Sequence, residues 1–385
     1  MATETDKPVI ATESTFKFGA VRQAVLPPSP TLGVLAPMVG TWTGSGFNTI
    51  FRPLNPNSPN QLPIPVGGDN ILELNLTSET TTFTAIQGAI PNRGFEQVDI
   101  ALAGMIYLQQ ISDVTTLPAT GIHVEPGIWV VIPSTTDPAD GPTVTRMASI
   151  PHGTTINAQG TTTIINGPPN IPVISITPTV IGGHLFEFAS QTATNQGTAR
   201  IPQDLTPFIA EGRITQDMIT NPNSVLTAAI HGQNIIATTQ ISISTQIVPP
   251  IIAGGGTDNI EFLIGAPPLP GTPPTQNPTP NANANSATMT ATFWIETVEH
   301  TVLIGPIKPG DPPVPVPLGP PNQPRRIMVK PLVGVSRPTP LTLRFTQIQY
   351  SQIVNLNFNG LIWPHVSVAT LVSTAPISTP PGWGA

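Results

Sequence analysis

From Val366 to Val372 the chain alternates, with Val366, Val368 and Thr370 on one side and Ser367, Ala369 and Leu371 on the other. A period of two sends successive side chains to opposite faces of a strand. That period predicts strands at 40–46, 71–76, 81–86, 98–110, 121–132, 143–150 and 154–165. The 71–76 and 81–86 segments, with a short polar break between them, read as a hairpin. The pattern resumes at 235–246, 259–264, 287–304 and 326–333, then runs through 341–372. Asn359-Gly360 divides that last run with a dipeptide suited to tight hairpins.

Between the two groups of strands the period changes. Residues 203–211, followed by Gly212, read as a short helix with a glycine stop, and 214–219 as another turn. The clearest helix follows: Asn221 to cap it, Pro222 at its first position and Gly232 to end it. Proline dominates 265–284 and 306–324, which read as long loops because proline cannot donate to a sheet ladder. Residues 1–30 read as an extended arm and 377–385 as a tail. No linker splits the strand pattern, so 31–376 reads as one domain: all-β, a large antiparallel β-barrel with a helical insertion at about 203–231.

Composition supports strands and removes several functions. Charged residues are only 9% of the chain, against about 25% in an average soluble protein. With a net charge of −7 and one adjacent basic pair, Arg325-Arg326, the clustered cations of a nucleic-acid binder are missing. The absence of cysteine excludes disulfide frameworks, thiolate metal sites and cysteine nucleophiles. Residues 1–25 carry charges and no continuous apolar core. No run reaches the roughly 18–20 apolar residues of a spanning helix. The expectation is a cytoplasmic protein with no membrane span. Gly44-Ser45-Gly46 lacks the spacing of a nucleophile elbow, and Gly254-Gly255-Gly256 lacks the lysine of a phosphate loop.

Of the six histidines, His123, His152 and His365 remain candidates for chemistry, and the strands carrying His365 and His123 say the most. In the last strand His365, Ser367, Ala369 and Leu371 share a face. If that face looks into a barrel, the small neighbours leave room beside the imidazole for something flat and large. On this reading His365 is an axial ligand to haem iron, since a neutral imidazole in an apolar pocket suits that role. His123, Glu125, Gly127 and Trp129 share a face of another strand, and a buried histidine and carboxylate each need a partner. They read either as the distal side of the pocket, with Gly127 removing bulk, or as a salt link at the barrel mouth, to an arginine such as Arg146.

Four segments carry a family resemblance. Gly40, Thr41, Trp42, Gly44 and Gly46 match a Gly-Thr-Trp-x-Gly-x-Gly opening strand, and Asn48-Thr49-Ile50 resembles the Pro-Thr-Ile that follows it. His123–Trp129 is similar to a His-x-Glu-x-Gly-aromatic strand. Met147–Gly153, containing His152, resembles an Ala-His-Pro-Thr-Gly turn, and His365 falls where a proximal histidine stands, followed by Ala and Leu. In this order they resemble the nitrobindins, haem-binding barrels related in shape to fatty-acid-binding proteins. The resemblance implies haem b on His365, with His123, Gly127, Trp42 and Ala369 around it and His123 as the catalytic group. It also implies NO binding and reaction with peroxide or peroxynitrite. The extra length, more than twice a nitrobindin's, falls in the helical insertion and the proline-rich loops. Two rival readings stay open: a metal-free lipocalin-like carrier of an apolar ligand, and a jelly-roll-type assembly protein; homo-oligomerisation stays open with them.

Overall fold

The β-branched segments pair edge to edge into a sheet that returns on itself. The computed structural model describes residues 31–54, 68–150, 153–180, 183–247, 254–264, 284–320, 323–358 and 360–384. The strands of the first half are β1 (Gly40–Pro53), β2 (Asn70–Ala85), β3 (Ile90–Asn92), β4 (Ile100–Asp113), β5 (Thr120–Ile132), β6 (Thr143–Ile150) and β7 (Thr154–Ile165). Two short ones, β8 (Thr179–Val180) and β9 (Arg200–Ile201), precede β10 (Asn234–Ser244), β11 (Gly256–Asn259) and β12 (Asn285–Ile304). The last are β13 (Val314–Leu318), β14 (Arg325–Lys330), β15 (Thr339–Phe358), β16 (Leu361–Ser373) and β17 (Ile377–Ser378). Ten of them, in the order β4-β5-β6-β7-β10-β12-β15-β16-β1-β2, form a closed antiparallel barrel, with β2 pairing back to β4. Closure satisfies every barrel strand on both sides and leaves no open edge in the wall.

A 3₁₀ turn at Gly33–Met38 enters one end of the barrel, where Leu35 and Met38 are fully buried. Trp42 packs with them, and its indole Nε1 donates to the Met38 carbonyl at 2.6 Å. Inward side chains from around the wall, among them Met105, Trp129, Ile156, Phe293, Ile348 and Leu371, join one interior cluster.

The outside of the wall is buried too. Helices α1 (Thr206–Ala210), α2 (Gln216–Thr220) and α3 (Ser224–Ile230) press Met218, Ile219, Val225 and Leu226 onto a cluster with Phe47, Leu72, Leu74, Val366 and Val368. A separate three-stranded sheet, β13-β14-β17, lays Val316, Ile327 and Val329 against Val298, Leu343 and Phe345. Such double cover explains why β16 is apolar on both faces: Val366 and Val368 meet the insertion while Ala369 and Leu371 face the interior.

Four elements depart from the sequence reading. The expected 71–76/81–86 hairpin is one strand, because β1 pairs with β2 continuously from Asn70 to Phe83, across the polar break. Residues 259–264 split into the end of β11 and a helical turn, Glu261–Ile264. The proline-rich 306–324 segment contains β13, which among the described residues pairs with β14 alone. An edge strand tolerates Pro315 and Pro317 because the missing donors face away from the ladder. Asn221 does not cap α3; its Oδ1 accepts from the Ile174 amide at 3.1 Å, tying the insertion to the preceding segment. Gly232 follows α3 with φ +75°, and Gly360 turns β15 into β16 with φ +80°. The arm at 1–30, the loop at 265–283, Asn359 and His152 lie outside the described residues. Among the described residues no helix is long and apolar enough to cross a membrane.

The wall is tightly packed where β1 meets β16. A Cβ at Gly46 would lie 2.0 Å from the Val368 carbonyl oxygen and 2.8 Å from Ala369 Cβ. Gly46→Ala is expected to cost about 1–3 kcal/mol through overpacking, read as a lowered urea midpoint.

Candidate functional site

The barrel interior holds a polar network among aromatic rings. β6 carries Arg146 inward, and its guanidinium makes three bonds. Nη2 donates to Glu125 Oε1 at 2.5 Å, Nη1 to Gln352 Oε1 at 2.5 Å, and Nε to the Tyr107 hydroxyl at 2.8 Å. Tyr107 in turn donates to Glu125. The cation also lies 5.5 Å from the ring centroids of Tyr107 and Phe293, a contact that strengthens when water is excluded. The second half of the network centres on Glu79. It accepts from Thr81 Oγ1 at 2.7 Å, Gln109 Nε2 at 2.8 Å and the Tyr350 hydroxyl at 2.6 Å. Since β15 supplies both Tyr350 and Gln352, the network crosses the barrel from β2 and β6 to the opposite wall.

The two carboxylates sit in opposite electrostatic settings. Burial pushes the Glu79 carboxyl above its ordinary value of 4.5, because its close donors are neutral. Burial alone would raise Glu125 as well, but the Arg146 charge, aided by His123 and Tyr107, outweighs it and holds Glu125 at about 2. Glu125 Oε2 lies 3.1 Å from His123 Nε2, and the His123 side chain is 19% exposed. The interior charge thus ends at an imidazole that reaches solvent.

The expected site residues fall as follows. His123 and Glu125 come together, and Glu125 makes the ion pair with Arg146 that the spacing left open. His365 is half-buried, and its Nε2 donates to the Phe51 carbonyl at 3.1 Å, with the Phe358 ring 6.5 Å away. Gly127 makes room for Tyr107, not for a ligand: a Cβ there would lie 2.4 Å from Tyr107 Cε1. Ala369 is wholly buried against Gly46, and Trp42 belongs to the packed end of the barrel.

The cavity inside the barrel, between Glu79, Tyr107, Arg146 and Tyr350, measures about 20 Å³ and is not lined by His123 or His365. That is space for about one water, whereas ligand pockets run to roughly 300–1,000 Å³. As arranged, these residues do not fit a porphyrin. The room expected beside small residues is filled by Tyr107 and Arg146, and His365 Nε2 is engaged by Phe51. Among the described residues no group of three or more His, Asp or Glu converges to hold a metal ion.

Sequence reasoning missed Glu79, Tyr107, Gln109, Tyr350 and Gln352. A usable signal existed: Glu79-x-Thr81-x-Phe83 and Tyr107-x-Gln109-x-Ile111 each alternate, so their polar members share a face with core residues.

No family model and no curated protein matches the chain. Among solved structures, the crystal structure of Rv2717c from M. tuberculosis is similar over 90% of this chain and 99% of that one, with 11% identity and a TM-score of 0.33. A likeness of that degree assigns neither family nor function. The class defined here is therefore architectural: a closed ten-stranded antiparallel β-barrel with a charged interior network.

Arg146→Met leaves Glu125 buried without its cation and is expected to cost about 3–5 kcal/mol, with part regained in Arg146→Met/Glu125→Gln. The check is chemical denaturation of both variants. The depressed Glu125 value stabilises fully above pH 4.5, and that contribution is lost as pH falls toward about 2. Glu79 has the reverse sign: the fold holds its proton more tightly, so stability declines as pH rises above 4.5. Glu79→Gln is expected to lessen that decline in melts recorded from pH 5 to 8, with a remainder coming from Glu296, which burial raises to about 7.

Proposed function

We propose that the chain is a small-molecule-binding barrel whose working group is His123, presented at the end opposite the Gly33–Met38 turn. The observation that carries this reading is the chain of contacts Arg146–Glu125–His123, in which a fully buried ion pair holds a partly exposed imidazole. A carboxylate bonded to one ring nitrogen fixes the ring's tautomer and orientation. Held in this way, the imidazole serves as a hydrogen-bond donor or proton carrier toward a ligand at the barrel mouth. Strand polarity brings His365 to the same end, since β5 and β16 both begin there.

Haem is the ligand that the nitrobindin resemblance implies. Reaching it from this arrangement requires His365 Nε2 to leave Phe51 and the interior to open well beyond 20 Å³. The small-polar-ligand reading asks for neither change. It also differs from the lipocalin-like alternative, because an interior filled by Arg146, Glu125 and Glu79 offers no apolar cup.

The test follows the His123 ring resonances by NMR while small polar compounds are added. The expected hit shifts those signals and loses about tenfold or more in affinity in His123→Ala. A broad library that leaves the His123 signals unmoved sinks the reading. Haemin added to the same protein is expected to give no Soret band that depends on His365. A Soret band abolished in His365→Ala would replace this reading with the haem one.

A further inference from the structure

A second cavity, of about 380 Å³, lies outside the barrel wall, where β1 and β2 meet the helical insertion and the segment leading into β14. Its volume falls within the roughly 300–1,000 Å³ of small-molecule sites, and it is separate from the His123 network. Its polar lining residues are Ser45, Thr77, Ser78, Arg213 and Gln323. Arg213 stands at its rim, with its guanidinium 5.1 Å from the Phe208 ring centroid and 3.3 Å from Glu211. That ion pair is exposed on both sides and weakly held, so the cation is available to another anion. Gln323 is only 9% exposed, and its Oε1 is buried with no hydrogen-bond partner among the described residues. Ser45 Oγ, on the outward face of β1, is likewise buried and unpartnered. The remaining wall is aliphatic, chiefly Leu76, Met218 and Val225.

A buried acceptor without a donor costs about 1–3 kcal/mol, so Gln323 and Ser45 select for a ligand that restores the missing bonds. A purely apolar occupant leaves them unsatisfied. An α-amino acid brings an ammonium, yet no carboxylate lines the cavity to receive it. A phosphate brings about two charges to a single arginine. We propose that this cavity binds a small aliphatic hydroxycarboxylate. The carboxylate pairs with Arg213, the hydroxyl donates to Gln323 Oε1 and bonds Ser45 Oγ, and the alkyl part lies against Leu76, Met218 and Val225.

The test titrates 2-hydroxyisocaproate into the full chain, followed by ligand-observed NMR and thermal melting. Isocaproate, without the hydroxyl, and methyl 2-hydroxyisocaproate, without the charge, serve as paired probes. The hydroxy acid is expected to bind and raise the melting temperature, with each probe weaker by about tenfold or more. Arg213→Gln and Gln323→Ala are each expected to weaken it about tenfold. Without ligand, Arg213→Gln melts as the parent does because its ion pair is exposed, and Gln323→Ala, which removes a buried unpaired acceptor, melts no lower. Absence of binding overturns the proposal, as does binding that neither substitution alters. Equal affinity for the hydroxy and deoxy acids overturns the role given to Gln323 and Ser45.

Discussion

A guanidinium sealed inside a closed barrel constrains everything around it. Arg146 is cut off from bulk solvent, so its donors must find acceptors within the wall, and Glu125, Tyr107 and Gln352 supply them. A half-satisfied buried charge is worse than an apolar core, which makes the network nearly all-or-none. Gly127 is small so that Tyr107 can reach the ion pair, and Phe293 lies beside the cation and stacks with Tyr350. The interior is therefore occupied by its own side chains. His123, bonded to Glu125 and 19% exposed, reaches outward.

The extra length has a physical counterpart on the outer surface. A barrel wall with solvent outside alternates apolar and polar residues, but here the insertion and the β13-β14-β17 sheet cover two sectors. Their attachment adds apolar burial without enlarging the interior, consistent with the limit on how far one core can grow. It also creates seams between wall and cover, and seams are where the volume is found: about 380 Å³ outside against about 20 Å³ inside.

Much of the architecture was legible because period-two patterning is local. The ends of β5, β6 and β7 follow the alternation closely, and α1 and α3 end just before the glycines Gly212 and Gly232. Thr77–Thr80 misled because polar β-formers between two apolar runs resemble a turn until a partner strand is known. Pro315 and Pro317 misled for the same reason: proline is excluded from a central strand but not from an edge, and only the topology says which it is. The interior network was least legible. Nothing local marks the faces carrying Glu79, Gln109 and Gln352 as interior, because inside and outside are decided by closure, a nonlocal event. His365 shows the limit of face arithmetic. It shares the inward side with Ala369 and Leu371, yet its ring is engaged by the backbone of β1.

One consequence concerns the phenols. The chain has two tyrosines, and both lie in the interior network. Burial drives both hydroxyls well above their ordinary value of 10.0, with Glu125 and Glu79 opposing phenolate formation nearby. Phenolate absorbance in alkali thus carries no surface contribution. It registers the moment the barrel is breached, an optical gauge built into the molecule with no added label.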